Sequence, residues 1–305
     1  MDANKYWDLV KKYDEFKRID YAPLSETLSS YSSIASTIRN GEDLAKDLLE
    51  MQHIIGRRTV KKLDKKFQEE IRKYEIEFIQ QSYRYYDSEM KFDDYAHINQ
   101  YYTDLHLPVA AKEIIEGKIN LAIKWQYPGM ELSPGINHFT DKLVGLDPLY
   151  IVDKHSESLI NTKNKFNDAY QRRLRTYHAH GDVDFRSLPV GQMGLIFSFG
   201  FFERLPLDVI KIYLTEFKKL LRPDGRVIMS YNNCLLKSSL DNTIFKKYRL
   251  FNTRDYIEPL VYGLGFDNIS TTDIEPNISI LEFTQPGEFY TQRAGQTLGN
   301  IKKTY

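Results

Sequence analysis

The chain has little cysteine. Cys234 is the single thiol among 305 residues, so no disulfide can close within it, which fits a reducing compartment. It also lacks net charge, since 42 Lys and Arg offset 42 Asp and Glu. A balanced chain does not announce itself as a bulk binder of nucleic acid or of an anionic membrane. Long hydrophobic runs are missing. The most apolar stretch, VGQMGLIFSFGFF at 190–202, is 13 residues long and broken by Gly and polar positions, whereas a membrane-spanning helix takes about 20 apolar residues. The opening segment MDANKYWDLVKKYDEFKR is charged throughout and has no apolar signal-peptide core. The phosphate loop G-x-x-x-x-G-K-[ST] does not occur, nor does an internal repeat. What remains is 42% hydrophobic and 28% charged, enough to bury a core and stay in solution. The expectation is a soluble, intracellular and cytoplasmic protein with no membrane partner and no indication of nucleic acid.

Two regions have different patterns. Residues 1–117 read as helix, with little Gly or Pro and many charges. Val60, Leu63, Phe67, Ile71, Tyr74 and Phe78 recur every three or four residues, which puts them on one helical face. The opposite face carries charge blocks suited to i,i+4 pairing, and Gly56 is a candidate interruption. The apolar line needs a cover. The spacing suits a helix packed on its own domain as well as a short seam to a second subunit; a homo-oligomer through the N-terminal helices is the expected cover, and a cap over the substrate pocket, with tyrosines at 83–86 and 101–102, is the alternative.

Residues 118–305 read as an α/β domain. Short apolar runs predict strands near 128–132, 149–153, 176–180, 193–199, 225–231, 267–273 and 278–284, with helices at 138–145, 155–172, 206–221 and 253–264. Alternating strands and helices predict a doubly wound, mostly parallel seven-stranded sheet of Rossmann-like type. The last two strands are joined by Glu-Pro-Asn alone, too short for a parallel crossover, so they form a late antiparallel hairpin.

The segment MELSPGINHF at 130–139 joins the first strand to a helix. A nucleotide-binding domain places a tight, glycine-favouring turn there, so that backbone can approach the ligand. The turn here is Ser133-Pro134-Gly135-Ile136-Asn137, and Asp153 follows at the tip of the second strand. An acid at that distance is placed to accept hydrogen bonds from ribose hydroxyls.

At these residues the chain resembles the class I S-adenosylmethionine-dependent methyltransferases, over roughly 125–285. MELSPGINHFT is similar to the family's first motif, with Glu131 as its acid, and YIVDKH to the second-strand segment with its ribose-binding acid. GDVDFRSLP resembles the segment after the third strand, where the resemblance implies that Asp184 meets the adenine amino group and Phe185 flanks the ring. MGLIFSFGFFERLPLDVIKIYLTEFKKLLRPDGRVIMSYNN reproduces the fourth strand, the E-x-L-P turn, an amphipathic helix, the L-x-P-x-G turn and the fifth strand in order. The implied cofactor is S-adenosylmethionine, held by Glu131, Ser133, Pro134, Gly135, Asn137, Asp153, Asp184, Phe185 and Ser198. Ser133 and Asn137 stand where the family's pattern has glycine. Asn tolerates left-handed backbone angles, and the expectation is a working but altered loop. SFGF occupies the place of the [DNS]-P-P-[YFW] motif, which argues against methylation of DNA bases at exocyclic amines.

The implied reaction is in-line methyl transfer to O or N of an unidentified acceptor. It asks the protein mainly to align the acceptor and exclude water. A base is needed only for an acceptor that holds its proton tightly. Glu203, after the fourth strand, is the candidate base, and Phe199, Phe201, Tyr231 and Asn232 are candidates for the acceptor pocket. Two other classes stand beside this one. One is a catalytically inactive scaffold with the same fold. The other is a metal-dependent hydrolase using His178, His180 and Asp182 of HAHGDVD, since imidazole and carboxylate suit divalent metals.

Overall fold

The structure, a computed structural model, describes residues 3–18, 42–90, 107–136, 138–179, 183, 185–245, 248–274 and 276–287. The chain forms two compact units, Met1–Phe78 and Ile79–Tyr305.

The first unit is helical. Helix α1 (Ala3–Arg18) lies antiparallel to α2 (Glu42–Tyr85). Tyr6 packs on Tyr74 and Phe78, Tyr13 and Phe16 pack on Phe67, and the Tyr13 hydroxyl donates to Asp64 at 2.7 Å. Part of the apolar line is therefore covered by the chain's own first helix. Tyr6 and Phe78 are fully enclosed, while Leu63 stays 44% exposed. Gly56 does not interrupt α2, whose helical backbone continues through it. Tyr101 and Tyr102 lie outside the described residues.

The second unit holds a seven-stranded sheet. Its elements after α2 are a π-helical turn Tyr86–Met90, α3 (Val109–Ala122), β1 (Gly129–Leu132), a 3-10 turn Thr140–Leu143, β2 (Leu149–Asp153), α4 (Ser156–Asn164), α5 (Asp168–Gln171), β3 (Leu174–His178), β4 (Met193–Ser198), a 3-10 turn Phe202–Arg204, α6 (Leu207–Leu220), β5 (Leu221–Tyr231), α7 (Lys237–Ile244), α8 (Arg254–Gly263), β6 (Asp267–Ile274) and β7 (Ile278–Thr284). The strand order is β3-β2-β1-β4-β5-β7-β6. The first five strands are parallel neighbours, and β7 runs antiparallel between β5 and β6. The expected helix at 138–145 is reduced to the short 3-10 turn, and that at 155–172 divides into α4 and α5.

Strand alternation explains why both faces are covered. Met130, Leu132, Ile196, Val227, Met229, Leu281 and Phe283 face one core with α6 and α8, while Leu149, Ile151, Leu195, Phe197, Ile228 and Ile280 face the other with α3 and the turn at 140–143. In α6 the buried Ile210, Tyr213, Leu214, Phe217 and Leu220 recur at helical spacing. Pro206 precedes its first turn, and Lys218 and Lys219 complement the negative end of the helix dipole. Among the described residues no helix is long and apolar enough to cross a membrane.

Candidate active site at the strand tips

Connectivity reverses at β1. The chain steps outward to β2 and β3 and then crosses to β4 on the other side. In an open α/β sheet the crevice outside the carboxyl ends at such a reversal is the place for a ligand. Ser198 ties the two sides together, its hydroxyl donating to the Leu132 carbonyl at 2.9 Å.

The turn after β1 is unusual. Ser133 and Gly135 both hold left-handed backbone angles, φ 52° and 58°, on either side of Pro134. Such a conformation costs a non-glycine residue about 1–2 kcal/mol. Ser133 stays anchored because its N–H donates to the Val152 carbonyl of β2 at 2.8 Å. Lys165 reaches back from the end of α4 and donates to the Ile136 carbonyl at 2.8 Å. Asn137 lies outside the described residues.

Two buried carboxylates flank this turn. Glu131 is 2% exposed, and its Oε2 has no hydrogen-bond partner. Burial pushes its carboxyl up to about 8, against a hydrogen bond from Thr140 that favours the charged form. Asp141 and Asp153 add to the rise and Lys165 opposes it. Asp153 is also buried. Its Oδ1 accepts from the His155 N–H and its Oδ2 from the Ser158 hydroxyl, both at 2.9 Å, at the start of α4. Desolvation raises its carboxyl above the ordinary range, opposed by these hydrogen bonds, by His155 and by Arg204. Arg204 is itself buried and donates from Nε to the Gly200 carbonyl at 3.4 Å. Tyr170 keeps a hydroxyl without a hydrogen-bond partner, and burial raises its phenol to about 12.

The acceptor candidates are distributed otherwise than the sequence suggests. Phe199 packs on Phe139 and His138 on one face of the sheet, whereas Phe201 packs on Phe202 and Tyr213 on the other. Phe185 is buried between Tyr213 and Phe217 of α6, a core position. Tyr231 is fully buried, its hydroxyl 3.5 Å from Thr271 and its phenol raised by burial. The Asn232 amide donates to Thr243 and to the Leu250 carbonyl, each at 2.8 Å. Asp184 lies outside the described residues.

Glu203 is fully buried and paired with Arg249 at 2.9 Å; Arg249, 2% exposed, also donates to the Asn277 carbonyl at 2.8 Å. The Leu250 N–H returns to the Glu203 carbonyl at 2.9 Å. A carboxylate enclosed against a guanidinium is a strut between the turn after β4 and the segment before α8. It is not set out to receive an acceptor's proton. Arg249 is the partner that sequence reading missed, because nothing in the spacing of YRLFNT marks a buried cation. Ser82 was missed too: its hydroxyl accepts from the Phe251 N–H at 2.8 Å, fastening the end of α2 to the same segment. Cys234 is buried and its thiol is pushed up to about 11 by burial, so it is an inert core thiol. Among the described residues no group of three His, Cys, Asp or Glu could hold a metal; His180 and Asp182 lie outside them, and His178 is exposed with Nε2 2.9 Å from the Lys154 carbonyl.

No protein-family model matches the sequence, and no curated protein matches it. Similar solved structures include a possible exported protein of Bordetella parapertussis (14% identity, 58% of this chain and 67% of that chain, TM-score 0.47). They also include the CurJ carbon methyltransferase (16%, 58% and 54%, 0.47) and a SAM dependent methyltransferase of Aquifex aeolicus (11%, 63% and 99%, 0.47). The matched part thus spans about half of the CurJ chain.

Proposed function

We propose that the chain is an S-adenosylmethionine-dependent methyltransferase acting on an acceptor that reaches the crevice between β1 and β4. One observation carries the reading. A turn with two left-handed residues, Ser133 and Gly135, lies at the reversal point of a 3-2-1-4-5-7-6 sheet and is flanked by the buried carboxylates Glu131 and Asp153. The donor set suits this cofactor. Glu131 Oε2 is a buried acceptor atom without a partner, fit for an ammonium. Asp153 accepts one bond at each oxygen, and a carboxylate oxygen can accept two, which leaves capacity for ribose hydroxyls. The bound cofactor supplies a methyl group on a positively charged sulfur. The chain's part is to hold the turn with Ser133 and Lys165, keep β1 and β4 in register through Ser198, and exclude water behind the buried aromatic cores. With Glu203 engaged by Arg249, the reading favours an acceptor that does not depend on Glu203 as base.

A second reading, the inactive scaffold, is favoured by that same engagement of Glu203. Calorimetric titration with S-adenosylmethionine and S-adenosylhomocysteine tests the first reading. Binding is expected, and Asp153→Ala should weaken it by about 1.5–3 kcal/mol, the range for hydrogen bonds to a charged acceptor. Ser158→Ala, which removes only the internal contact, should weaken it less. Absence of binding at millimolar cofactor rejects the enzyme reading. Binding without transfer of labelled methyl groups to any fraction of a cell extract supports the scaffold.

A further inference from the structure

A buried stretch without regular structure runs between α7 and α8. Arg249, Leu250, Phe251, Asn252 and Thr253 are all buried, yet they form neither helix nor strand. Irregular segments normally lie at the surface, because a buried one must find partners for its backbone outside any ladder. Here the partners come from several elements. The Leu250 N–H donates to the Glu203 carbonyl at 2.9 Å, and the Leu250 carbonyl accepts from the Asn232 amide at 2.8 Å. The Asn252 carbonyl accepts from the Cys234 N–H at 2.8 Å, and the Asn252 amide donates to the Leu205 carbonyl at 3.1 Å. Arg249 joins the Glu203 carboxylate to the Asn277 carbonyl. The Phe251 N–H donates to Ser82 Oγ, on the last turn of α2, at 2.8 Å. The stretch is a strap. It ties the turn after β4, the segment after β5, the connection between β6 and β7, and the end of α2.

We propose that Ser82 is a positioning residue for the acceptor side of the crevice, acting through Phe251 and the strap at 249–253 on the turn at 199–205. That turn follows Ser198 directly. It begins with Gly200, at a left-handed φ of 78°, whose N–H donates to Ser230 Oγ of β5 at 2.7 Å. The strap then grips it at Glu203 and at Leu205. The end of α2 borders the same region. Tyr85, Tyr86 and Met90 share one core with Phe201, Phe202, Leu205 and Leu250, and the Tyr83 side chain hydrogen-bonds to Asp208 at the start of α6. The residue type at 82 fits the role. Ser82 is 6% exposed. Alanine is the better helix former there, but it would leave the buried Phe251 N–H without its acceptor. In-line transfer tolerates little displacement of the acceptor, so a turn gripped at two points by a buried strap is a rigid wall for it. This catalytic consequence rests on the methyltransferase reading; the tether itself does not.

Hydrogen exchange on the full chain, read by mass spectrometry with and without S-adenosylhomocysteine, tests this. Ser82→Ala should speed exchange at 249–253 and at 199–205 about tenfold, the effect of leaving one buried N–H unpaired. Strands β1, β2 and β3 should exchange as in the parent, and affinity for S-adenosylhomocysteine should not change. Ser82→Thr keeps the hydroxyl and should restore the parent pattern. Asn252→Ala releases the Leu205 carbonyl from the strap and should speed exchange at 199–205 with Ser82 intact. Acceleration confined to Phe251 overturns the proposal. So does acceleration spread evenly over all strands, or a Ser82→Ala chain that does not fold, since either makes Ser82 a fastening of the whole fold. A parent chain that does not bind S-adenosylhomocysteine yet gives the expected exchange pattern keeps the tether and rejects the methyltransferase reading, so the two failures are distinct.

Discussion

The two sides of the crevice treat buried charge differently. On the β1–β2 side, Glu131 and Asp153 are buried, and both carboxyls rise above their ordinary range because burial outweighs Lys165 at Glu131 and His155 and Arg204 at Asp153. On the β4–β5 side, Glu203 is enclosed together with Arg249, and Asn233 bridges Asp273 and the Arg254 N–H. The second side is cross-linked by its own polar groups. The first keeps carboxylate capacity in reserve at a cost to the folded state. Carboxyls shifted by burial cluster at functional sites, so the β1–β2 side is the one to probe first for a ligand.

The largest effect should come from breaking the paired side. Arg249→Met leaves the Glu203 charge buried alone and should cost about 3–5 kcal/mol, read from the shift in the urea unfolding midpoint. Adding Glu203→Leu should recover a good part of the loss, since an apolar pair of similar volume is often neutral. Failure of the double variant to recover stability would mean that the pair positions the segment rather than merely neutralising itself.

The unpaired side is sharpened by pH. The Glu131 carboxyl lies at about 8 in the folded chain against 4.5 unfolded. Below 4.5 both states hold the proton and its stabilising effect is fully present; as pH rises the unfolded state releases the proton first, and the stability is lost progressively until pH passes about 8. Glu131→Gln should therefore remove a loss of about 2–3 kcal/mol between pH 5 and 7, measured as the difference between the two proteins' unfolding free energies. Parallel pH dependences in both would place the charge penalty elsewhere.

The smallest effect concerns the turn. Ser133→Gly relieves the left-handed angle and should add about 0.5–1 kcal/mol, with cofactor affinity equal or higher. Loss of affinity in the folded variant would show that the Ser133 side chain itself contacts the ligand.

Much of the fold was legible because it is written in local pattern. All seven strands lie within a few residues of the apolar runs that predict them, and the hairpin follows from the three residues between β6 and β7. The site was less legible wherever the deciding partner is remote. Glu203 looks like a base until Arg249 is seen against it. Phe199 and Phe201 look like one pocket until the bend beyond the end of β4, where Gly200 holds a left-handed φ of 78°, sends them to opposite cores. The helical spacing on α2 does not announce that α1, more than fifty residues earlier, packs on Phe67, Tyr74 and Phe78. Pattern gives the period of an element, but not which distant side chain meets it.

The place of β7 has a consequence for synthesis. Among the described residues it is the last strand in chain order, yet it is an interior strand, gripped by β5 on one side and β6 on the other. Until Ile278–Thr284 has emerged, β6 has no neighbour and the free edge of β5 stays open. An open hydrophobic edge invites mispairing, so a nascent chain stalled before residue 278 should be the species that chaperones hold, while one released past residue 287 closes the sheet in a single step.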